Sequence, residues 1–212
     1  MSRPDPGKRA IRPWAWFAGG AAAVVAIAAL CAYGALATGL VPANADAQPS
    51  ALERWAARLS LHATVSREAA SLADPLTPDV ATLHAGLKLY GSNCMVCHGA
   101  ADGKPSNVAM GLYQGAPQLG RHGVEGDPEG ETYWKIAHGI RLTGMPSFDK
   151  TLTQTQLWQL ATFLKLMDKL PPEVSSDWKK TPSQAAPGSH PIEPRPARAV
   201  GVSAPSLRQS AP

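Results

Sequence analysis

The stretch from Tyr90 to Gly99 contains the motif Cys94-x-x-Cys97-His98, which constrains this chain more than any other feature. The spacing is typical of covalent haem attachment, because two thiols one helical turn apart can add to the two vinyl groups on one porphyrin edge. His98 then presents its imidazole to the iron as the proximal ligand. The motif occurs once, which predicts one covalently attached haem c.

Two other uses of a cysteine pair are possible, a redox dithiol and half of a zinc site. A thioredoxin-like dithiol would lie in a βαβ pattern, and no strand pattern precedes Cys94. A structural zinc site needs further ligands, but the remaining cysteine, Cys31, lies in an apolar run. The residues therefore favour haem.

The charge distribution bears on the class of partner. The net charge is +4, but residues 77–170 contain eight acidic and eight basic residues, and the excess lies towards the two ends. Nucleic-acid binding needs a concentrated basic face. We therefore expect no nucleic-acid partner.

A long apolar segment lies near the N-terminus. Residues 1–13 are basic, and residues 14–41 then carry no charge. About 20 apolar residues suffice to span a bilayer. Trp14 and Trp16 lie where an aromatic belt would place them. The positive-inside rule predicts a cytoplasmic N-terminus, a single-pass anchor in a bacterial inner membrane, and a haem domain in the periplasm.

The competing interpretation of this segment is a cleaved signal peptide. Ala43-Asn44-Ala45 has the small-residue form of a cleavage site. Signal h-regions usually run about 7–15 residues, and this apolar run is longer. The length favours a retained anchor, and the signal peptide stays open.

Residues 46–76 are predicted to form an amphipathic helix and a linker. Leu52, Trp55 and Leu59 recur at helical spacing, with charged residues elsewhere on the wheel. This helix would lie on the membrane surface or pack against a partner or the haem domain. His62 lies on it, and an interfacial polar residue is the favoured interpretation over a spare haem ligand.

Residues 77–170 predict a small all-α domain around the haem. Thr77 as N-cap and Pro78 at the first helical position begin a helix, in which Gly86 would permit close approach by another helix. A glycine-rich loop follows the motif, then a short helix that Gly139 closes. The last helix begins at a predicted capping box, Thr153 to Gln156.

Met145 lies on a loop between Gly144 and Pro146, where it has no helical face to fill. Its thioether is a soft donor that suits haem iron opposite a histidine, and Met/His ligation raises the reduction potential. A packing methionine is the alternative.

The C-terminal residues 171–212 are rich in proline and predict a disordered tail.

Residues 77–170 resemble the class I, single-haem c-type cytochromes. The stretch Gly86 to Tyr90 resembles the family's N-terminal helix, and Leu160 to Leu164 resembles the helix that crosses it. Gly115 to Leu119 resembles the family's proline loop, which implies that the Pro117 carbonyl accepts Nδ1–H of His98. The stretch from Gly144 to Phe148 resembles the distal-ligand loop.

The resemblance implies a one-electron carrier rather than an enzyme, with His98 and Met145 both ligating the iron. The implied partners are redox proteins such as a terminal oxidase or a periplasmic dehydrogenase in the respiratory chain. Two alternatives remain. One is a haem subunit of a larger oxidoreductase complex. The other is a ligand-binding or sensing haem protein with a displaceable Met145, for whose place at the iron His62, His122 or His138 would compete. Arg141 or Lys135 would pair with a haem propionate or serve as ordinary surface charges.

Overall fold

The computed structural model describes residues 13–120, 123–124 and 126–182. Within these residues every regular element is a helix, as predicted. The helices are α1 (Pro13–Ala37), α2 (Ala51–Glu68), α3 (Val80–Asn93), α4 (Met95–His98), α5 (Asn107–Met110), α6 (Glu129–His138), α7 (Gln154–Lys165) and α8 (Pro172–Lys180). The chain divides into two compact units, Met1–Ser50 and Ala51–Pro212.

The first unit is organised around α1, a 25-residue helix. Its stretch Trp16–Ala37 has a mean hydropathy of 2.1 and no buried residue, so it is long and apolar enough to cross a membrane. A signal sequence has the same properties, so both interpretations remain. The helix ends at Ala37, before the predicted limit of residue 41. The basic segment, residues 1–12, lies outside the described residues.

The core of the second unit is the crossing of α3 and α7. Leu83, Leu87 and Tyr90 of α3 are buried, as are Leu160 and Phe163 of α7. The Tyr90 and Phe163 rings lie 5.7 Å apart. The predicted capping box is present, with the Thr153 hydroxyl accepting from the Gln156 amide. The start of α3 differs from the prediction, because Asp79 rather than Thr77 caps it, accepting a hydrogen bond from the Thr82 amide.

Gly86 permits this crossing. A Cβ atom built there would lie 2.3 Å from the Gln159 carbonyl oxygen and 2.6 Å from Cβ of Phe163. Gly86→Ala is therefore expected to lower the free energy of unfolding by about 1–3 kcal/mol, because the backbones must separate. Urea denaturation of the holoprotein measures this.

Gly91→Ala is the matched control for that substitution. Gly91 lies on the same helix, and its added Cβ would approach nothing closer than the Met95 methyl group at 3.8 Å. Removing a helix glycine there is expected to raise stability by about 0.5–1 kcal/mol. Equal effects of the two substitutions would contradict the tight crossing.

The helix α8 corrects the predicted boundary of the tail. Disorder was expected from residue 171, but Pro172 occupies the first turn of a helix whose Val174 and Trp178 are buried. Trp178 packs edge-on against Tyr90 at 5.3 Å and against Phe163 at 5.9 Å. Residues 171–180 therefore complete the core. Residues 183–212 of the predicted tail lie outside the described residues.

Trp178→Ala is expected to cost about 3–5 kcal/mol, the usual loss when a buried aromatic side chain is truncated. The control is Lys179→Ala, which changes an exposed residue of the same helix and is expected to stay within about 0.5 kcal/mol of the parent. Unfolding followed by far-ultraviolet circular dichroism compares the two. A Trp178→Ala variant as stable as Lys179→Ala would show that α8 lies outside the core.

The second unit begins at Ala51, so α2 is part of it rather than part of a separate segment 46–76. Val65 and Ala69 are buried, and α2 packs on α6. The Tyr113 hydroxyl bonds the Glu53 carboxylate, and the indole N–H of Trp134 donates to Glu68 at 3.1 Å. Of the three predicted locations for this helix, packing on the domain of residues 77–170 is therefore observed.

Candidate haem site

A mostly apolar cavity of about 330 Å³ lies within the second unit. Its wall contains all five residues predicted to hold or support a haem: Cys94, Cys97, His98, Pro117 and Met145. The apolar part of the wall comprises Leu61, Leu112, Leu119, Val124, Ile136, Ile140, Phe148 and Leu164. The fold thus brings together side chains from the motif, two loops and four helices.

The attachment motif is one turn of helix fixed to the end of α3. The backbone N–H of Cys97 and that of His98 both donate to the Cys94 carbonyl, at 3.0 and 2.9 Å. The buried Tyr90 hydroxyl donates to the Gly99 carbonyl at 2.7 Å. The core residue Tyr90 therefore holds the end of the motif in place.

His98 is oriented by the proline loop. Its Nδ1 lies 2.9 Å from the Pro117 carbonyl oxygen. A carbonyl can only accept, so Nδ1 carries the proton and Nε2 keeps its lone pair for a metal. Burial lowers the pKa of His98 while the bond to Pro117 opposes this, and the net effect favours the neutral imidazole that ligation requires.

The cysteine thiols lie in a low-polarity environment. Burial, with a smaller contribution from the neighbouring Cys97, raises the pKa of Cys94 to about 12. The Cys94 thiol is therefore protonated near neutral pH, and an uncharged thiol is stable against an apolar wall. Neither cysteine is in a disulfide.

The loop that carries Met145 is anchored to the end of α6. Gly139 has a φ of 67°, and a Cβ there would lie 2.7 Å from the Met145 carbonyl oxygen. That carbonyl accepts from the Ile140 N–H at 3.2 Å, and the Phe148 N–H donates to the Ala137 carbonyl at 3.1 Å. The half-buried Met145 is thereby held at the cavity wall.

One polar side chain of the cavity wall lacks a partner. Thr132 is 3 % exposed, and its hydroxyl oxygen has no hydrogen-bond partner within the described residues. Buried polar atoms are seldom unpaired, so this hydroxyl suits an occupant with polar groups. An apolar cavity with thiols, an imidazole, a thioether and one unpaired hydroxyl fits a haem, whose ring is apolar and whose propionates accept hydrogen bonds.

Residues 81–164 match the family described as cytochrome c oxidase, cbb3-type, subunit III. The match includes the attachment motif, the proline loop and Met145, which the geometry places on one cavity. Residues 81–164 form a c-type cytochrome domain. Such a domain transfers electrons through a covalently bound haem c. No curated protein and no solved structure matches the chain.

Of the other predicted candidates that the structure describes, Lys135 lines the cavity of the cytochrome domain and the rest lie away from it. His62, His138 and Arg141 are exposed and do not line the cavity. Lys135 lies on the cavity wall. Lys135 bonds Asp127 at 2.8 Å. His122 is outside the described residues. Residues 13–120, 123–124 and 126–182 contain no group of three or more His, Cys, Asp or Glu that could hold another metal.

Leu61 and Thr132 are two of the cavity-wall residues that the sequence prediction did not include. Leu61 comes from α2, which lies outside the matching residues, and Thr132 comes from the buried side of α6. Thr132 occupies a position where the helical pattern of α6 calls for an apolar residue. A polar residue on the buried side of the helix was therefore the sequence signal that could have identified it.

Proposed function

We propose that this chain is a membrane-tethered electron carrier with one haem, bound through Cys94 and Cys97 and ligated by His98 and Met145. The observation that carries the proposal is the convergence of these four side chains on one cavity of low polarity. The haem would supply a one-electron iron couple. The chain itself binds, orients and shields it.

His98 and Pro117 act as a pair in this proposal. The hydrogen bond at Nδ1 fixes the tautomer and the ring orientation, and it raises the basicity of Nε2 as a donor. Because Pro117 lacks a backbone N–H and its carbonyl is committed to His98, the loop provides a fixed acceptor. His98 is thus oriented for ligation by the chain itself.

Met145, which lines the same cavity as His98, would complete the ligand set. A thioether is a soft, neutral donor, and Met/His ligation raises the reduction potential. If His98 and Met145 both hold the iron, the chain leaves no place on it for a substrate. This favours a carrier over an enzyme or a gas sensor.

The apolar wall favours the reduced state by excluding water. Leu112, Ile136 and Leu164 line the cavity, and a low-polarity environment penalises the more highly charged oxidised centre. We therefore expect a positive shift of the potential beyond that due to Met145.

The proposed location rests on α1, and the proposed partners rest on the matching family. If retained, α1 holds the cytochrome domain in a bacterial inner membrane with the haem in the periplasm, and so raises its effective concentration near membrane redox proteins. The family description names a subunit of a cbb3-type oxidase. A terminal oxidase is the favoured partner, and a periplasmic dehydrogenase or a role as one haem subunit of such a complex is the alternative.

Voltammetry of the full-length holoprotein tests the carrier. We expect one reversible wave with the one-electron slope of about 59 mV per decade, unmoved by carbon monoxide. A wave that shifts with carbon monoxide would support a ligand-binding haem protein instead.

The intact mass of the membrane-extracted protein tests the anchor. We expect a mass that corresponds to a chain containing residues 14–41, and a protein that stays in the membrane fraction during alkaline washing. A mass that corresponds to a chain beginning near residue 46 would establish a cleaved signal peptide.

A further inference from the structure

The outer side of α2 carries an apolar stripe that nothing in the described part of the chain covers. Leu52, Trp55 and Leu59 are 71 %, 61 % and 54 % exposed, and they recur at positions i, i+3 and i+7 of the helix. We call these three residues the outer stripe. Three large apolar side chains exposed on two turns of one helix indicate a surface that binds something.

The opposite side of α2 is already in use. Val65 is buried, Leu61 lines the haem cavity, and Glu53 and Glu68 bond Tyr113 and Trp134 of the cytochrome domain. The two acidic residues of α2 are thus turned towards the domain. The outer stripe is therefore left without acidic neighbours from its own helix.

The charges beside the outer stripe are basic. Arg54, Arg58 and His62 line one shallow surface groove together with Trp55 and Leu59. Leucine and tryptophan flanked by arginine are the composition of helices that lie in the interfacial plane of a bilayer, with the cations on anionic headgroups. Within residues 51–120, 123–124 and 126–182, Trp55 is the one exposed tryptophan. Tryptophan is enriched at the membrane–water interface.

The short connection between α1 and α2 agrees with a membrane surface as the binding partner of the outer stripe. The apolar helix α1 ends at Ala37 and α2 begins at Ala51. The residues between them can reach at most about 45 Å when extended. If α1 crosses a membrane, α2 always lies within reach of that membrane's surface.

We propose that the outer stripe of α2 docks on the anionic phospholipid surface of the membrane that α1 spans. This rests on the proposed role of α1 as an anchor. Because Leu61 on the other side of α2 lines the haem cavity, docking holds the cavity wall about one helix diameter, some 10–12 Å, from the headgroups. The haem is then presented to partners at the membrane surface.

The test uses full-length holoprotein with Cys31→Ala, one copy per lipid nanodisc, and a single added cysteine. Ala56→Cys places a thiol beside the outer stripe, about one helical turn from both Leu52 and Leu59. Ala57→Cys places one about 100° around the same helix, also exposed. The rate of modification by a neutral, hydrophilic maleimide is measured in discs with and without phosphatidylglycerol. Each rate is divided by that of the same variant in denaturant.

We expect modification at position 56 to be about tenfold slower than at position 57 in discs containing phosphatidylglycerol. Adding Arg58→Glu is expected to bring the two rates together, because it removes the attraction for anionic headgroups. Equal rates in these discs would overturn the proposal, as would a difference that persists without phosphatidylglycerol and with Arg58→Glu.

The absorption spectrum and disc retention separate this proposal from the proposed function. Equal rates in a disc-bound protein with a closed, low-spin haem would reject docking while the carrier stands. A protein that leaves the discs altogether would reject the anchor, and docking with it.

Discussion

Replacing both Cys94 and Cys97 by alanine is expected to abolish covalent haem attachment completely. The two thiols are the chain's only reactive groups on the cavity wall that can form thioethers, and the rest of the wall can hold a haem only by contact. Haem staining of a denaturing gel, or extraction into acidified acetone, measures the loss.

Cys31→Ala is the matched control for the attachment experiment. Cys31 lies in α1, outside the cytochrome domain, and is expected to be irrelevant to attachment. Full haem staining of Cys31→Ala with none in the double variant is the expected pair of results. Haem retained through denaturation in the Cys94→Ala/Cys97→Ala variant would contradict the assignment of the motif.

Met145→Ala is expected to open the iron without releasing the haem. The attachment residues are untouched, but the thioether donor is lost from the cavity wall. We expect a fall in the reduction potential of roughly 0.2 V, a fraction of the about 0.8 V that axial ligands control. The reduced variant is expected to bind carbon monoxide, which a titration followed by absorption detects.

Met110→Ala controls for the loss of a methionine as such. Met110 is 47 % exposed and does not line the cavity, so its removal is expected to leave the potential and carbon monoxide binding unchanged. A Met145→Ala variant with the parent's potential and no affinity for carbon monoxide would reject Met145 as the distal ligand.

Much of the fold could be predicted because local signals and the cofactor agree. The close approach at Gly86, the capping box at Thr153 and the end of α6 at Gly139 all carry short-range signatures that tertiary packing did not override. The contact between His98 and Pro117 came from family resemblance, since nothing local relates two residues so far apart in sequence.

The sequence did not predict α8 because its strongest signals are typical both of the end of one helix and of the start of another. Pro171 and Pro172 end the preceding helical pattern, yet a proline in the first turn also begins a helix. Nine residues are too few to show a period, and only Val174 and Trp178 mark the buried side. Burial against Tyr90 and Phe163 decides the outcome, and it is not visible in the sequence.

The packing of α2 shows a second limit of pattern analysis. The helix has two apolar sides, one with Leu52, Trp55 and Leu59 and another with Leu61 and Val65. Periodicity identified the first, whereas the structure buries the second against the cytochrome domain. Which side faces the domain depends on long-range partners such as Tyr113 and Trp134, which a helical wheel cannot include.

The most direct test of a closed His98/Met145 iron is the absorption spectrum of the full-length protein, recorded oxidised, reduced, and reduced under carbon monoxide. We predict a sulfur-to-iron charge-transfer band in the oxidised form and no spectral change on adding carbon monoxide. An oxidised spectrum without that band, together with ready carbon monoxide binding, would contradict the electron-carrier account.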